Sequence, residues 1–154
     1  MASKSPDLGF VDGIVQLSFL VHSVLGQTAA RHDLTVPQVR LLGILRDREP
    51  GMLQLARYLG LDKSSVTGLI DRAERRGLVR RSAAVDDGRA VRVSTTALGR
   101  ELTQRVNAEI DLKINGLGST LKEVDRRILT RLVGQVVTAH QPSTAERLSD
   151  PRPR

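Results

Sequence analysis

Cysteine is absent from all 154 residues. That excludes disulfides, cysteine-ligated zinc, thiol catalysis and cysteine-based oxidant sensing, and it suits a cytoplasmic protein. Aromatic residues make up 2% of the chain, as Phe10, Phe19 and Tyr58. Proteins that hold RNA or single strands stack bases on aromatic rings, so this composition disfavours such a partner. No HExxH, GxSxG, P-loop or GxGxxG pattern occurs, which leaves an enzyme without a recognisable site. His22, His32 and His140 are scattered, and the first two stand ten positions apart, poor spacing for a metal. Long clean apolar runs are also lacking. The stretch from Leu8 to Leu25 is punctuated by Asp12, Gln16 and His22. A membrane span needs roughly 18–20 apolar residues, so the stretch is expected to be a buried, amphipathic soluble helix.

Basic charge is what the chain has in excess. Lys and Arg number 24 against 17 Asp and Glu, giving +7 and a pI near 10.9. Polyanions are the partners this implies, nucleic acid before anionic membrane. Residues 52–95 hold nine basic and five acidic side chains, so more than half of the excess lies there. The hydrophobic fraction of 40% supports a folded core, and the length suits one compact domain or one protomer of an intertwined dimer.

The spacing predicts six helices and one hairpin. The first helix spans about Pro6 to Arg31 and is apolar around most of its circumference, so it needs more than one neighbour. A second starts after Thr35, which forms a capping-box pattern with Gln38, and runs to about Asp47, before the breaker Glu49-Pro50-Gly51. A third, Met52 to Leu59, ends at Gly60. Asp62 caps a fourth, Lys63 to Arg76, whose apolar side is Val66, Leu69, Ile70 and Ala73. The period then changes to two. Leu78–Ala83 and Ala90–Ser94 read as strands around the Asp86-Asp87-Gly88 turn. Thr96 caps a fifth helix to about Asn115, with Leu98, Leu102, Val106, Ile110 and Ile114 on one stripe. Gly116 and Gly118 break the chain. Thr120 and Glu123 repeat the capping-box spacing before a sixth helix, striped by Leu121, Val124, Ile128, Leu132 and Val136.

Two helices joined by Gly60-Leu61-Asp62 have helix-turn-helix geometry. The side of the second one opposite its apolar face centres on Ser64, Gly68, Asp71 and Arg75, flanked by Ser65, Thr67 and Arg72. An α-helix fits the major groove, with its N-terminal residues nearest the base edges. Small hydroxyl residues there permit close approach and can donate to phosphates or bases, and the arginines can bond phosphates or guanine. Helix–turn–helix units also occur as plain packing motifs, and on that alternative Asp71 and Arg75 form only an i,i+4 surface pair. The basic hairpin after that helix places Arg89 near its tip, where the negative potential of the minor groove attracts arginine.

The run DKSSVTGLIDRAERRGLVRR, Asp62 to Arg81, resembles the recognition helix and first wing strand of the MarR family of bacterial regulators. Asp87-Gly88-Arg89 through Thr96-Ala97-Leu98-Gly99-Arg100 resembles that family's wing and following helix. The resemblance extends in element order from about Leu8 to Ala139. It implies a mainly α fold with a small β-hairpin wing, a winged helix-turn-helix built as an intertwined two-fold dimer. It also implies a repressor of transcription that binds double-stranded DNA. Lys63, Ser64, Ser65, Thr67, Arg72 and Arg75 become DNA-binding candidates, Arg89 the wing-tip arginine, and Asp87 the acid that orients it. The family wing often carries Asp-Pro before the turn, where this chain has Ala84 and Val85.

The same resemblance divides the chain into a dimerisation helix (1–34), a DNA-binding lobe (35–95), C-terminal dimerisation helices (96–141) and a flexible tail (142–154). It implies a homodimer, no cofactor and no membrane partner. A small aromatic or anionic effector is the implied ligand, with His22 and Arg40 as the polar groups to examine. Two other readings stand beside it. One is a winged-helix protein-interaction module. The other is a metal-responsive repressor drawing on His22, His32, Asp33 and Asp111.

Overall fold

The computed structural model describes residues 8–83 and 90–140. The elements are α1 (Phe10–Arg31), α2 (Val36–Leu45), α3 (Met52–Leu59), α4 (Lys63–Arg75), β1 (Val79–Ala83), β2 (Val91–Thr95), α5 (Ala97–Leu117) and α6 (Glu123–His140). Residues 1–114 form one compact unit and residues 115–154 a second.

Local signals decide most boundaries. Thr35 caps α2, its hydroxyl accepting from the Gln38 amide while the Gln38 side chain accepts from the Thr35 amide at 2.9 Å. Pro37 sits in the first turn, where its missing N–H costs nothing. Gly60 and Gly77 end α3 and precede β1 with φ of +65° and +69°, a region where a Cβ is strained. Thr96 caps α5, its hydroxyl oxygen accepting from the Gly99 amide at 3.0 Å.

Four boundaries differ from expectation by two residues or more. Gly9, not a residue before Pro6, is the N-cap of α1. Helix α2 stops at Leu45, and α5 runs through Gly116 to Leu117. Helix α6 starts at Glu123, where the Lys122 carbonyl accepts from the Arg126 amide, so Thr120 stands outside the cap position.

In the first unit, α2, α3 and α4 close on the hairpin around Leu41, Leu55, Val66, Ile70 and Val93, all of them fully buried. Leu102 and Val106 of α5 and Ala29 of α1 complete this core. Leu98 lies outside it, half exposed, where the first turn of α5 leans through Thr96 and Gly99 on Gly77 and Leu78, the residues that lead into β1. Strands β1 and β2 pair antiparallel with Arg81 opposite Val93. Pro50 extends the ribbon by accepting from the Val93 amide at 3.0 Å.

The C-terminal end of helix α1 is tied to α5. Glu109 bonds Lys113 at 2.8 Å and both Arg31 and His32 at 3.1 Å. The Lys113 ammonium donates to the fully buried Thr28 hydroxyl at 3.2 Å. The Lys113 hydrogen bond, with lesser help from His32, holds the Glu109 carboxyl below its ordinary range against the opposing effect of burial.

The rest of α1 corrects one expectation. From Gly13 to Ala30 it carries no formal charge. Over its 22 residues it is long and apolar enough to cross a membrane by length and composition. The punctuating Gln16 and His22 are polar but uncharged, too little to lower its hydropathy. The single chain leaves Phe10, Val11, Ile14, Phe19 and Leu20 exposed and fully buries Thr28 and Ala29 alone of this helix.

Candidate nucleic-acid interface

The exposed side of α4 is built around its cap. The Asp62 carboxylate accepts from the Ser65 amide at 2.9 Å, the Ser65 hydroxyl at 2.6 Å and the Ser64 hydroxyl at 2.5 Å. Those bonds, the Ser64 hydroxyl first, hold the Asp62 carboxyl far below its ordinary range. A carboxylate depressed in the folded state contributes stability that is present above its unfolded value, about 3.9, and lost as pH falls below it. Asp62→Ala should therefore lower the urea midpoint near neutral pH. The loss should shrink in urea melts as pH falls below about 3.9, because protonation of Asp62 in the unfolded chain then offsets what the charged cap contributes. A pH-independent loss would mean that the cap is not what Asp62 supplies.

This geometry revises the chemistry expected of the hydroxyls. Thr67 donates to the Lys63 carbonyl at 2.9 Å, as Ser64 and Ser65 donate to Asp62. All three protons are spent within the chain, so the hydroxyls present accepting lone pairs outward instead of donors. Ser64 and Ser65 are exposed, as is Lys63, and Thr67 is half-buried.

Arg72 and Arg75 are exposed on the same helix, and neither joins an ion pair among the described residues. The Arg72 guanidinium lies over Gly68, 3.3 Å from where a Cβ would be. Pro37, Leu61, Ser64, Ser65, Gly68, Leu69 and Arg72 line a shallow cleft of about 380 Å³. The helix thus offers a small, hydroxyl-bearing N-terminal half and a cationic middle. Its opposite side, Val66, Leu69, Ile70 and Ala73, is fully packed.

The expected Asp71–Arg75 pair does not form. Arg75 donates to the Asp71 backbone carbonyl at 3.3 Å, whereas the Asp71 carboxylate binds Arg81 of β1 at 2.5 Å. Arg81 also pairs with Glu74 through its guanidinium, and its backbone amide donates to Glu74 at 3.1 Å. A planar guanidinium has donors enough to hold two carboxylates at once, and strand β1 brings it there. Burial works against the charge on Arg81, but the bonds to Asp71 and Glu74 outweigh it and raise its pKa. Sequence spacing could not find this triad, since its members lie seven and ten positions apart on different elements.

Asp87 and Arg89 lie outside the described residues. His22 lies in an apolar groove of about 340 Å³ lined wholly by α1, with Ile14, Leu17, Ser18, Val21 and Leu25. Arg40 reaches elsewhere, donating to the Tyr58 carbonyl at 3.5 Å. The chain by itself does not bring these two together. Among the described residues no three His, Asp or Glu side chains gather as a metal site would require, so His22, His32, Asp33 and Asp111 do not form one.

Comparison with known proteins places this geometry among related ones. A MarR family model matches residues 32–90. The homoprotocatechuate degradative operon repressor of Escherichia coli is 30% identical over 109 residues, covering 70% of this chain and 73% of that protein. This chain spans 65% of the length of another curated relative, an HTH-type transcriptional regulator of Bacillus subtilis that is 28% identical over 106 residues. Two solved structures share the fold. NadR in complex with 4-hydroxyphenylacetate has a TM-score of 0.70 at 23% identity, over 88% of this chain and 97% of that one. The MepR–DNA complex of S. aureus has a TM-score of 0.71 at 19% identity, over 86% and 99%.

Proposed function

Because this chain belongs to the MarR family of transcriptional regulators, we infer that it is a ligand-responsive repressor that binds a palindromic operator as a homodimer. One observation carries the reading. Helix α4 buries its whole apolar side and turns Ser64, Ser65, Gly68, Arg72 and Arg75 outward, immediately before a basic two-stranded ribbon. A helix of that shape fits the major groove, with the ribbon beside it. Lys63, Arg72 and Arg75 supply phosphate or guanine contacts, and the hydroxyls of Ser64, Ser65 and Thr67 accept from base amino groups. Arg89, held by Asp87, is assigned to the minor groove. The apolar sides of α1 and α6 are assigned to the two-fold interface, which gives residues 1–34 and 96–141 to dimerisation and 35–95 to DNA.

Relatives and chemistry together suggest the effector class. The E. coli relative is named for a homoprotocatechuate degradative operon, and NadR is seen with 4-hydroxyphenylacetate. A groove of apolar side chains around His22 suits an aromatic ring bearing an anionic group, with Arg40 as a second polar candidate. The reading assigns no reaction to the chain and places it with the DNA, in the cytoplasm.

Fluorescence anisotropy on its own upstream DNA, titrated with salt and against random duplex, tests this. Operator binding should exceed random binding by about 10³-fold or more. Affinity should fall linearly on a log–log salt plot, with a slope set by the phosphates neutralised. Footprints should show half-sites about 10 bp apart. Equal weak binding to upstream and random duplexes, and to every sequence in a random pool, would favour a winged-helix module that binds protein instead.

A further inference from the structure

Arg81 is not on the exposed side of α4, and nothing in its position along the chain marks it for DNA binding. Yet it is the side chain through which the ribbon is fastened to the helix. Its guanidinium spans two carboxylates one helical turn apart, Asp71 at 2.5 Å and Glu74. Its amide points away from β2, out of the edge of β1, and the second oxygen of Glu74 accepts from it at 3.1 Å. Side chain and backbone of one strand residue are therefore both gripped by the C-terminal half of α4. The guanidinium is mostly covered, with a quarter of its side chain exposed.

This placement has a geometric and an electrostatic consequence. Three charge-assisted bonds fix the strand to the helix at a single register, and β1 leads directly into residues 84–89, which carry Asp87 and Arg89. A helix in one groove and a ribbon in the next bind together only if their separation matches the duplex. As for charge, Asp71 sits amid the outward side of α4, between Gly68 and Arg75, where a bare carboxylate would repel phosphate. Arg81 neutralises it without itself occupying that side.

We propose that Arg81 is a positioning residue for operator binding, clamping the wing's first strand to the recognition helix through Asp71 and Glu74. The proposal rests on the operator-binding reading above. It predicts that specificity, more than affinity for duplex DNA in general, depends on the fork geometry of the guanidinium.

Arg81→Lys separates fork from charge, because an ammonium keeps the cation but cannot bridge both carboxylates in plane. Anisotropy titrations would use the duplex that the wild-type dimer selects from a random pool, with random duplex alongside and a thermal melt of each protein. Operator affinity should fall about tenfold, at least five times more than affinity for random duplex, with Tm within a few degrees of wild type. Glu74→Gln, which keeps an oxygen for the amide but loses the ion pair, should show the same pattern at smaller size. Operator affinity within twofold of wild type in both variants would overturn the proposal. Equal losses on both duplexes would also overturn it, pointing to general unfolding if the melt falls, or to a direct phosphate contact by Arg81 if it does not. Wild-type protein that selects no duplex would remove the operator-binding reading and this proposal with it, a result distinct from either variant's.

Discussion

Replacing Gly99 by alanine should destabilise the protein by about 3 kcal/mol, although alanine is the better helix former by nearly 1 kcal/mol. A Cβ at Gly99 would stand 1.9 Å from the Leu78 carbonyl oxygen and 2.9 Å from its carbon. Both are backbone atoms, so no side-chain rotation relieves the overlap. The first turn of α5 would have to lift away from Leu78, at the entry to β1, by more than an ångström. That movement would pull on the bonds that seat it. The Thr96 amide donates to Leu78 at 3.0 Å, the Thr96 hydroxyl to Gly77 at 2.5 Å, and the Gly99 amide to Thr96 at 3.0 Å. Overpacking costs typically 1–3 kcal/mol, and losing a cap adds about 1. Urea melts should show the midpoint falling by roughly 2 M at unchanged slope, taking a slope of about 1.5 kcal/mol per M. A variant as stable as wild type would show that α5 is free to shift on β1, and that this junction does not hold the helix in place.

Leu132→Glu should weaken self-association at least 100-fold, about 3 kcal/mol. Helix α6 has no buried residue in the single chain, and Val124, Ile128, Leu129, Leu132, Val133, Val136 and Val137 are each at least 42% exposed. Leu132 lies near the middle of that surface. An apolar surface of this length is unfavourable in water and marks an interface. A carboxylate buried there without a partner loses its hydration and gains nothing. Sedimentation equilibrium at micromolar concentration should give a dimer for wild type and mostly monomer for the variant. Operator affinity should fall with it, since a monomer reads one half-site. A wild-type monomer would refute the dimeric reading outright. A dimer unaffected by the substitution would move the interface off α6, leaving α1 as the apolar surface to test.

Elements whose limits depend on a few neighbouring residues were legible in the sequence, because the responsible bonds span three or four positions. The Thr35–Gln38 box, the Asp62 cap and the glycines after α3 and α4 fall where the residue pattern put them. The buried side of α4 matched its 3.6-residue period in every position. Thr120 misled for the same local reason. Its spacing to Glu123 permits a capping box, but the backbone enters the helix only three residues later, at Glu123. The outward residues of the interface could be named from a helical wheel. Their hydrogen-bonding state could not, because it depends on which acceptor each hydroxyl proton finds.

Residue pattern alone was enough for the order of helices and ribbon, the packed and outward sides of α4, and the family to which these belong. Each of those is written in short-range spacing and in the types of residue that spacing requires. The three-dimensional arrangement was needed to learn that Asp71 answers to Arg81 rather than to Arg75, and that Gly99 is a contact point rather than a flexible one. It was needed too for the uncovered apolar surfaces that α1 and α6 present in a single chain. All three depend on which distant residues the fold brings within about 3–4 Å. A hydrogen bond or a steric overlap is settled over that distance, whatever the separation along the chain.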